Sequence, residues 1–216
     1  MELINGLIDF ILHIDQHLAE LTVTYHSMIY AILVLIIFCE TGLVFTPFLP
    51  GDSLLFAAGA LAAAGNGLDI TVLIPLLFAA AVAGDSTNYV IGKTIGERLL
   101  AAKRSFIRRE YMEKTHDFYA KHGGKTVVLA RFMPILRTFA PFVAGLGSMV
   151  YRRFLSFSLL GNTLWISLFT LAGYLFGNIP WVKDNFSKVI LGIIFISLLP
   201  MILAFLNERL NRKTAN

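Results

Sequence analysis

The chain alternates uncharged apolar runs with runs that are equally apolar but interrupted. Residues 28–39 carry no charge and end at Glu40. Residues 41–68 stay apolar yet contain Pro47, Pro50-Gly51, Asp52, Gly59 and Gly65. Residues 70–92 hold one charge, Asp85, and a hydrophilic stretch follows over 93–125. The run 126–150 is again apolar but carries Arg131, Pro134, Arg137, Pro141, Gly145 and Gly147. Residues 154–182 and 189–206 are uncharged throughout.

About 20 apolar residues cross the hydrocarbon core as a helix, so 70–92, 154–177 and 189–206 predict transmembrane helices. The interrupted segments 41–68 and 126–150 predict something else. Their prolines would leave backbone groups unpaired in lipid if the helix ran straight. A broken or re-entrant hairpin, sheltered by protein or lining a wet cavity, is the expected form. Residues 28–39 fit either a separate span or the first arm of such a hairpin.

The two interrupted segments resemble each other. Phe45, Pro47 and Leu49 match Phe132, Pro134 and Leu136 at a constant offset of 87, and Ala57 matches Ala144. Gly84-Asp85-Ser86 parallels Gly161-Asn162-Thr163, and Gly92-x-x-x-Gly96 parallels Gly173-x-x-x-Gly177. The expected fold is therefore all-α and integral to the membrane, built from two inverted-topology repeats. Each repeat has a re-entrant helical hairpin followed by a transmembrane helix, with the site at the repeat interface. A single domain over 1–216 divides into repeat one (about 25–97), a basic loop (98–125), repeat two (126–177) and a C-terminal span (189–206). Amphipathic surface helices are expected at 1–21, from the stripe Leu3, Leu7, Ile11, Ile14 and Leu18, and at 106–122, from Ile107, Tyr111 and Phe118 among basic residues.

Composition agrees: 56% of the 216 residues are hydrophobic and 15% charged, against about 25% charged in soluble domains. Charge orients the chain. Residues 1–92 hold no Lys or Arg, whereas 93–216 hold all 18. The 98–125 loop and the C-terminus are accordingly placed in the cytoplasm, and the side of the N-terminus stays open. The basic balance needs no nucleic-acid partner, because the bases flank apolar spans. The single cysteine, Cys39, excludes an internal disulfide.

Charged groups inside apolar runs carry the chemistry. Asp52, Arg131 and Arg137 each cost roughly 2.5–3.5 kcal/mol at a helix centre, so they must pair, bind a ligand or face water. Glu40 adds to that cost. Pro134 lies midway between Arg131 and Arg137, and Pro47 with Pro50-Gly51 lies between Glu40 and Asp52. Breaks there let two guanidinium groups and two carboxylates turn toward one point. Paired guanidinium forks suit a phosphate monoester. A desolvated carboxyl group exchanges protons more readily near neutral pH unless an Arg offsets it, making Glu40 or Asp52 a candidate proton carrier. Structural salt bridges between the hairpins are the alternative. Asp85 is expected to pair with an Arg or cap a broken helix. Gly92 and Gly173 are expected to permit close helix packing, and Trp165 and Trp181 to serve as packing and interface anchors.

No histidine falls within the hairpins or spans, so a histidine-nucleophile lipid phosphatase has no nucleophile there, and no Walker-type loop or metal-ligand cluster is present. Enzymatic chemistry, a resident cofactor and a metal are not expected.

Taken together, Glu40-Thr41-Gly42, Phe48-Leu49-Pro50-Gly51-Asp52-Ser53, Gly84-Asp85-x-x-Asn88-Tyr89-x-x-Gly92 and Ala130-Arg131-Phe132-x-Pro134-x-x-Arg137-Thr138 resemble the bacterial DedA family, also called the SNARE-associated or VTT domain. The resemblance covers roughly residues 20–205. It implies an inner-membrane protein that transports undecaprenyl phosphate or a similar lipid phosphate, driven by the proton-motive force. It makes Glu40 and Asp52 the acidic pair and Arg131 and Arg137 the phosphate-binding arginines. Asp85, Asn88, Pro47, Pro50, Gly51, Ser53, Pro134 and Thr138 are the expected supporting residues. Expected partners are membrane lipids and a polyprenyl phosphate, and a homo-oligomer is compatible with the sequence. A proton-coupled ion or small-molecule antiporter, and a headgroup-tolerant scramblase or membrane organiser, are the rival readings.

Overall fold

A computed structural model describes residues 28–43, 51–65, 67–101, 124–147 and 149–199. The expected surface helices at 1–21 and 106–122, together with Pro47, Pro50 and the end of the 189–206 span, lie outside the described residues. The described residues are helical, with no strand among them. Helix α1 is Met28–Gly42, α2 is Gly51–Ala63 and α3 is Ile70–Ala101. Helix α4 is Lys125–Ala130, α5 is Pro134–Leu146, α6 is Tyr151–Phe176, and α7 is the short Pro180–Asp184. Helix α8 runs Phe186–Leu199.

Two helices, over Ile70–Ile95 and Tyr151–Phe176, are long and apolar enough to cross a membrane. At 1.5 Å per residue each 26-residue stretch spans about 39 Å, more than the ~30 Å hydrocarbon core. The 15 residues of α1 and 13 of α2 and α5 reach only about 20–22 Å. The described helices of the two interrupted segments are thus too short to cross alone.

Local chemistry sets the boundaries. Asp69 caps α3: its Oδ1 accepts from the Thr71 N–H at 2.8 Å and the Thr71 hydroxyl at 2.6 Å, as an N-cap acid should. The Tyr30 hydroxyl oxygen accepts from the Asp69 N–H at 2.7 Å, tying this cap to α1. Between α4 and α5 the chain leaves the helix over Arg131, Phe132 and Met133. Met133 is extended (φ −119°, ψ 109°) and Pro134 opens α5 at its first position, as the residue before a proline and a helix-opening proline prefer. Helix α3 runs past the hydrophobic boundary at Gly92 to Ala101. Lys93 and the Glu97-Arg98 pair are hydrophilic but good helix formers, so polarity ended the apolar run without ending the helix.

Packing is reciprocal. The second short helix of each half lies along the long helix of the other: α2 on α6, and α5 on α3. The first short helix lies on its own long helix, α1 on α3 and α4 on α6. Glycines make both crossings close. A Cβ on Gly59 would collide with the Thr170 carbonyl and one on Gly173 with Phe56 backbone; a Cβ on Gly145 would collide with the Tyr89 carbonyl and one on Gly92 with Phe142 backbone. Phe56 and Gly59 correspond to Phe142 and Gly145 at an offset of 86, and Tyr89 and Gly92 to Thr170 and Gly173 at an offset of 81. Gly84 against Thr41 of α1 is likewise matched by Gly161 against Val128 of α4.

Large apolar side chains face outward as well as packing the core. Leu160, Leu164, Leu168, Leu171 and Leu175 of α6 and Phe195 and Ile196 of α8 are exposed, while Glu40, Asp52, Asp85, Arg131 and Arg137 are buried. Exposed apolar side chains around buried, paired charged residues are what a lipid-facing surface requires.

Candidate functional site

Arg137 is the fourth residue of α5 and Asp52 the second of α2, so the two helix starts meet at this pair. Arg137 Nη1 donates to Asp52 Oδ1 at 2.6 Å, and Nη2 donates to Glu40 Oε1. Asp52 is further held by the indole N–H of Trp165 at 2.7 Å and the Ser197 hydroxyl at 2.6 Å. Glu40 comes from the C-terminal end of a short helix, α1, as Arg131 does from that of α4. Its carboxylate presses on Gly51, where any Cβ would overlap it, which is why a glycine opens α2.

Arg131, beside the break after α4, takes a different acid. It pairs with Asp85 of α3 and donates to Asn162 Oδ1 of α6. Ser158 Oγ and Asn162 Nδ2 both donate to Asp85 Oδ2, at 2.6 and 2.9 Å. Asp85 and Asn162 occupy corresponding positions of the two matched motifs and meet each other where α3 crosses α6.

Trp165 stands between these groups. The Arg137 guanidinium carbon lies 4.6 Å from its ring centroid and that of Arg131 5.5 Å, both within cation–π range. The five charged residues and Trp165 are all nearly sealed, from 0% exposed for Glu40, Asp85 and Trp165 to 7% for Asp52. Removing one partner from such a buried pair costs about 3–5 kcal/mol, because the other charge is stranded. The described cluster nevertheless holds three carboxylates against two guanidinium groups. Arg137 Nε, Asp85 Oδ1 and Ser53 Oγ are buried without a hydrogen-bond partner among the described residues. The site is closed but its bonding capacity is not used up.

Asn88 links the halves. Its Nδ2 donates to the Thr41 carbonyl of α1 at 3.1 Å and the Thr138 carbonyl of α5 at 2.7 Å. The Thr41 carbonyl sits in the last turn of α1, where helix carbonyls lose their backbone partner, and the Thr138 carbonyl lies within α5.

The structure brings the expected charged residues together in two groups. Arg137 gathers Glu40 and Asp52, whereas Arg131 turns to Asp85, and the two arginines share a ring rather than a carboxylate. Trp165 packs in the hydrophobic core as expected and belongs to the polar site as well. Trp181, by contrast, is exposed. Ser158, Asn162 and Ser197 complete the site and were missed: single small polar residues in apolar helices carry no signal of their own. The Gly161-Asn162-Thr163 match to Gly84-Asp85-Ser86 was the one available pointer to Asn162. No group of three or more His, Cys, Asp or Glu among the described residues could hold a metal ion.

The VTT domain family model matches residues 49–175. Protein DedA of Escherichia coli K12 is 57% identical over 211 residues, covering 97% of this chain and 96% of that protein. An uncharacterized membrane protein of Mycobacterium leprae is 49% identical over 170 residues, 78% of this chain and 76% of that one. Inner membrane protein YghB of E. coli K12 is 33% identical over 196 residues, 90% and 84% respectively. No solved structure matches the chain. With a family match over more than half its length and a relative so similar from end to end, the chain belongs to the DedA family of VTT-domain membrane proteins.

Proposed function

We propose that this protein is a proton-coupled transporter of a polyprenyl phosphate, of the undecaprenyl phosphate type, across the bacterial inner membrane. The observation that carries the reading is the sealed cluster itself: two arginines inside an apolar shell, each occupied by a carboxylate from another helix. Intramembrane ionisable groups at this cost point to a transport pathway.

The cycle we propose uses the surplus carboxylate. Protons entering at Glu40 or Asp52 weaken the carboxylates' hold on Arg137, and a phosphate headgroup takes their place through charge-assisted bonds. Phosphate entry is favoured where α2 and α5 begin, because helix N-termini attract anions. Release of the protons on the other side restores the ion pairs and expels the headgroup. We read the two halves as inverted-topology repeats with re-entrant hairpins, a reading supported by the reciprocal packing and the matched glycine contacts. Rocking one repeat on the other then alternates access to the site. The 98–125 loop and the C-terminus are assigned to the cytoplasm on their charge, and neither catalysis nor a cofactor enters the cycle.

The test compares cargoes in proteoliposomes: a polyprenyl phosphate, a zwitterionic lipid of similar length, and cations without lipid phosphate. Flux confined to the polyprenyl phosphate supports the reading. Cation flux in vesicles lacking lipid phosphate supports the antiporter instead, and headgroup-indifferent flux the scramblase.

A further inference from the structure

Trp165 belongs to α6, yet touches charged groups from three other segments. Its indole N–H reaches Asp52 of α2, and its ring faces Arg137 of α5 and Arg131 at the α4–α5 break. No other residue described contacts both ion-pair groups in this way. Two guanidinium groups brought together in an apolar interior repel one another, and the repulsion is weakly screened there. The electron-rich face of an indole opposes that repulsion and attracts both cations. An indole is also rigid, with two side-chain torsions, and here is fully buried.

The carboxylates cannot keep the arginines in place through a transport cycle, since a phosphate binds by displacing them. The ring can, because an anion bonds to the guanidinium edges in their plane and leaves their faces free. The indole N–H also fixes Asp52 Oδ1, the oxygen that Arg137 uses as well.

We propose that Trp165 is the shared positioning residue of the site, its ring holding Arg131 and Arg137 as a spaced pair while its N–H sets the place to which Asp52 returns. The functional half of this assignment rests on the transport reading above; the sharing of the ring does not.

Thermal-stability cycles in detergent test the sharing independently of cargo. Trp165→Leu is combined in turn with Arg131→Gln and with Arg137→Gln. Both double variants should lose clearly less Tm than the two single losses together, as groups in contact do. Additive losses with either arginine overturn the proposal. The transport arm uses Trp165→Phe and Trp165→Leu. Phe keeps a ring face and should hold KM for the polyprenyl phosphate within about threefold, while Leu should raise it about tenfold or more, on the order of one cation–π contact. A Leu variant with wild-type KM, or a Phe variant as impaired as Leu, overturns the positioning role and leaves the ring a structural filler. Should wild type carry no lipid phosphate, the transport reading fails and the stability cycles alone decide the sharing.

Discussion

Arg137 and Asp52 stand 85 residues apart in sequence, and their side chains meet at 2.6 Å in a sealed interior. Each lies in the first turn of a short helix, Asp52 in α2 and Arg137 in α5. The pair therefore reports directly on how the two halves of the chain are docked.

Arg137→Gln leaves Glu40 and Asp52 facing each other without a cation. Stability should fall by about 3–5 kcal/mol, and transport should cease. Adding Asp52→Asn to that variant removes one stranded charge and should recover part of the Tm without recovering transport. Thermal unfolding in detergent, with flux measured beside it, checks both halves.

Arg131 and Asp85 should behave as a buried ion pair in stability measurements. Each single neutralisation is expected to destabilise, and the Arg131→Gln/Asp85→Asn double variant should be more stable than either single one, because neither charge is then buried alone. A double variant less stable than both singles would contradict the pairing.

Glycines divide into those at crossings and those in open space. A methyl at Gly59 or Gly145 meets backbone that cannot swing away, so alanine there should cost roughly 1–3 kcal/mol, as overpacking does. Gly192 of α8 has nothing within 4 Å of an added Cβ. Gly192→Ala should leave Tm unchanged or raise it, since alanine is the better helix former.

Asn88→Leu keeps the side chain's bulk and removes both hydrogen bonds to the Thr41 and Thr138 carbonyls. Loss of two buried hydrogen bonds should cost about 1–3 kcal/mol at ~0.5–1.5 kcal/mol each, and proteolytic susceptibility should rise in parallel.

Asp69 supplies the pH dependence that can be assigned to one group outside the spans. The Thr71 hydroxyl and N–H hold its carboxyl below the usual carboxylate range. A depressed value means that the ionised form stabilises the fold. That contribution is complete above the ordinary carboxylate range and is lost as pH falls through the lowered one. The Tm gap between wild type and Asp69→Ala should be constant near neutrality and narrow in acid.

Much of the site was legible because ionised groups in apolar runs are costly enough to stand out one by one. Glu40, Asp52, Arg131 and Arg137 were found on that ground, and the position of Pro134 located the break that aims the two arginines differently. Their pairing was not legible. Arg131 could reach any of three acids, and the choice of Asp85 depends on where α3 crosses α6. Trp165 escaped because an indole in an apolar helix has the same sequence signature whether it fills space or holds a cation. Ser197 lies outside the matched VTT region and is brought to Asp52 only by the return of α8 against α2. The helical extension of α3 beyond Gly92 was missed because hydropathy measures where lipid ends, not where a helix does.

The central claim is that a phosphate headgroup displaces carboxylates from buried arginines once protons neutralise those carboxylates. Its most direct test is the flipping of undecaprenyl phosphate in proteoliposomes, for wild type, Arg131→Ala and Arg137→Ala, with and without a pH gradient. The account predicts flux in wild type that responds to the gradient and is lost in both variants, with folded protein present in each. Gradient-independent flux, or flux that survives removal of Arg137, would contradict it.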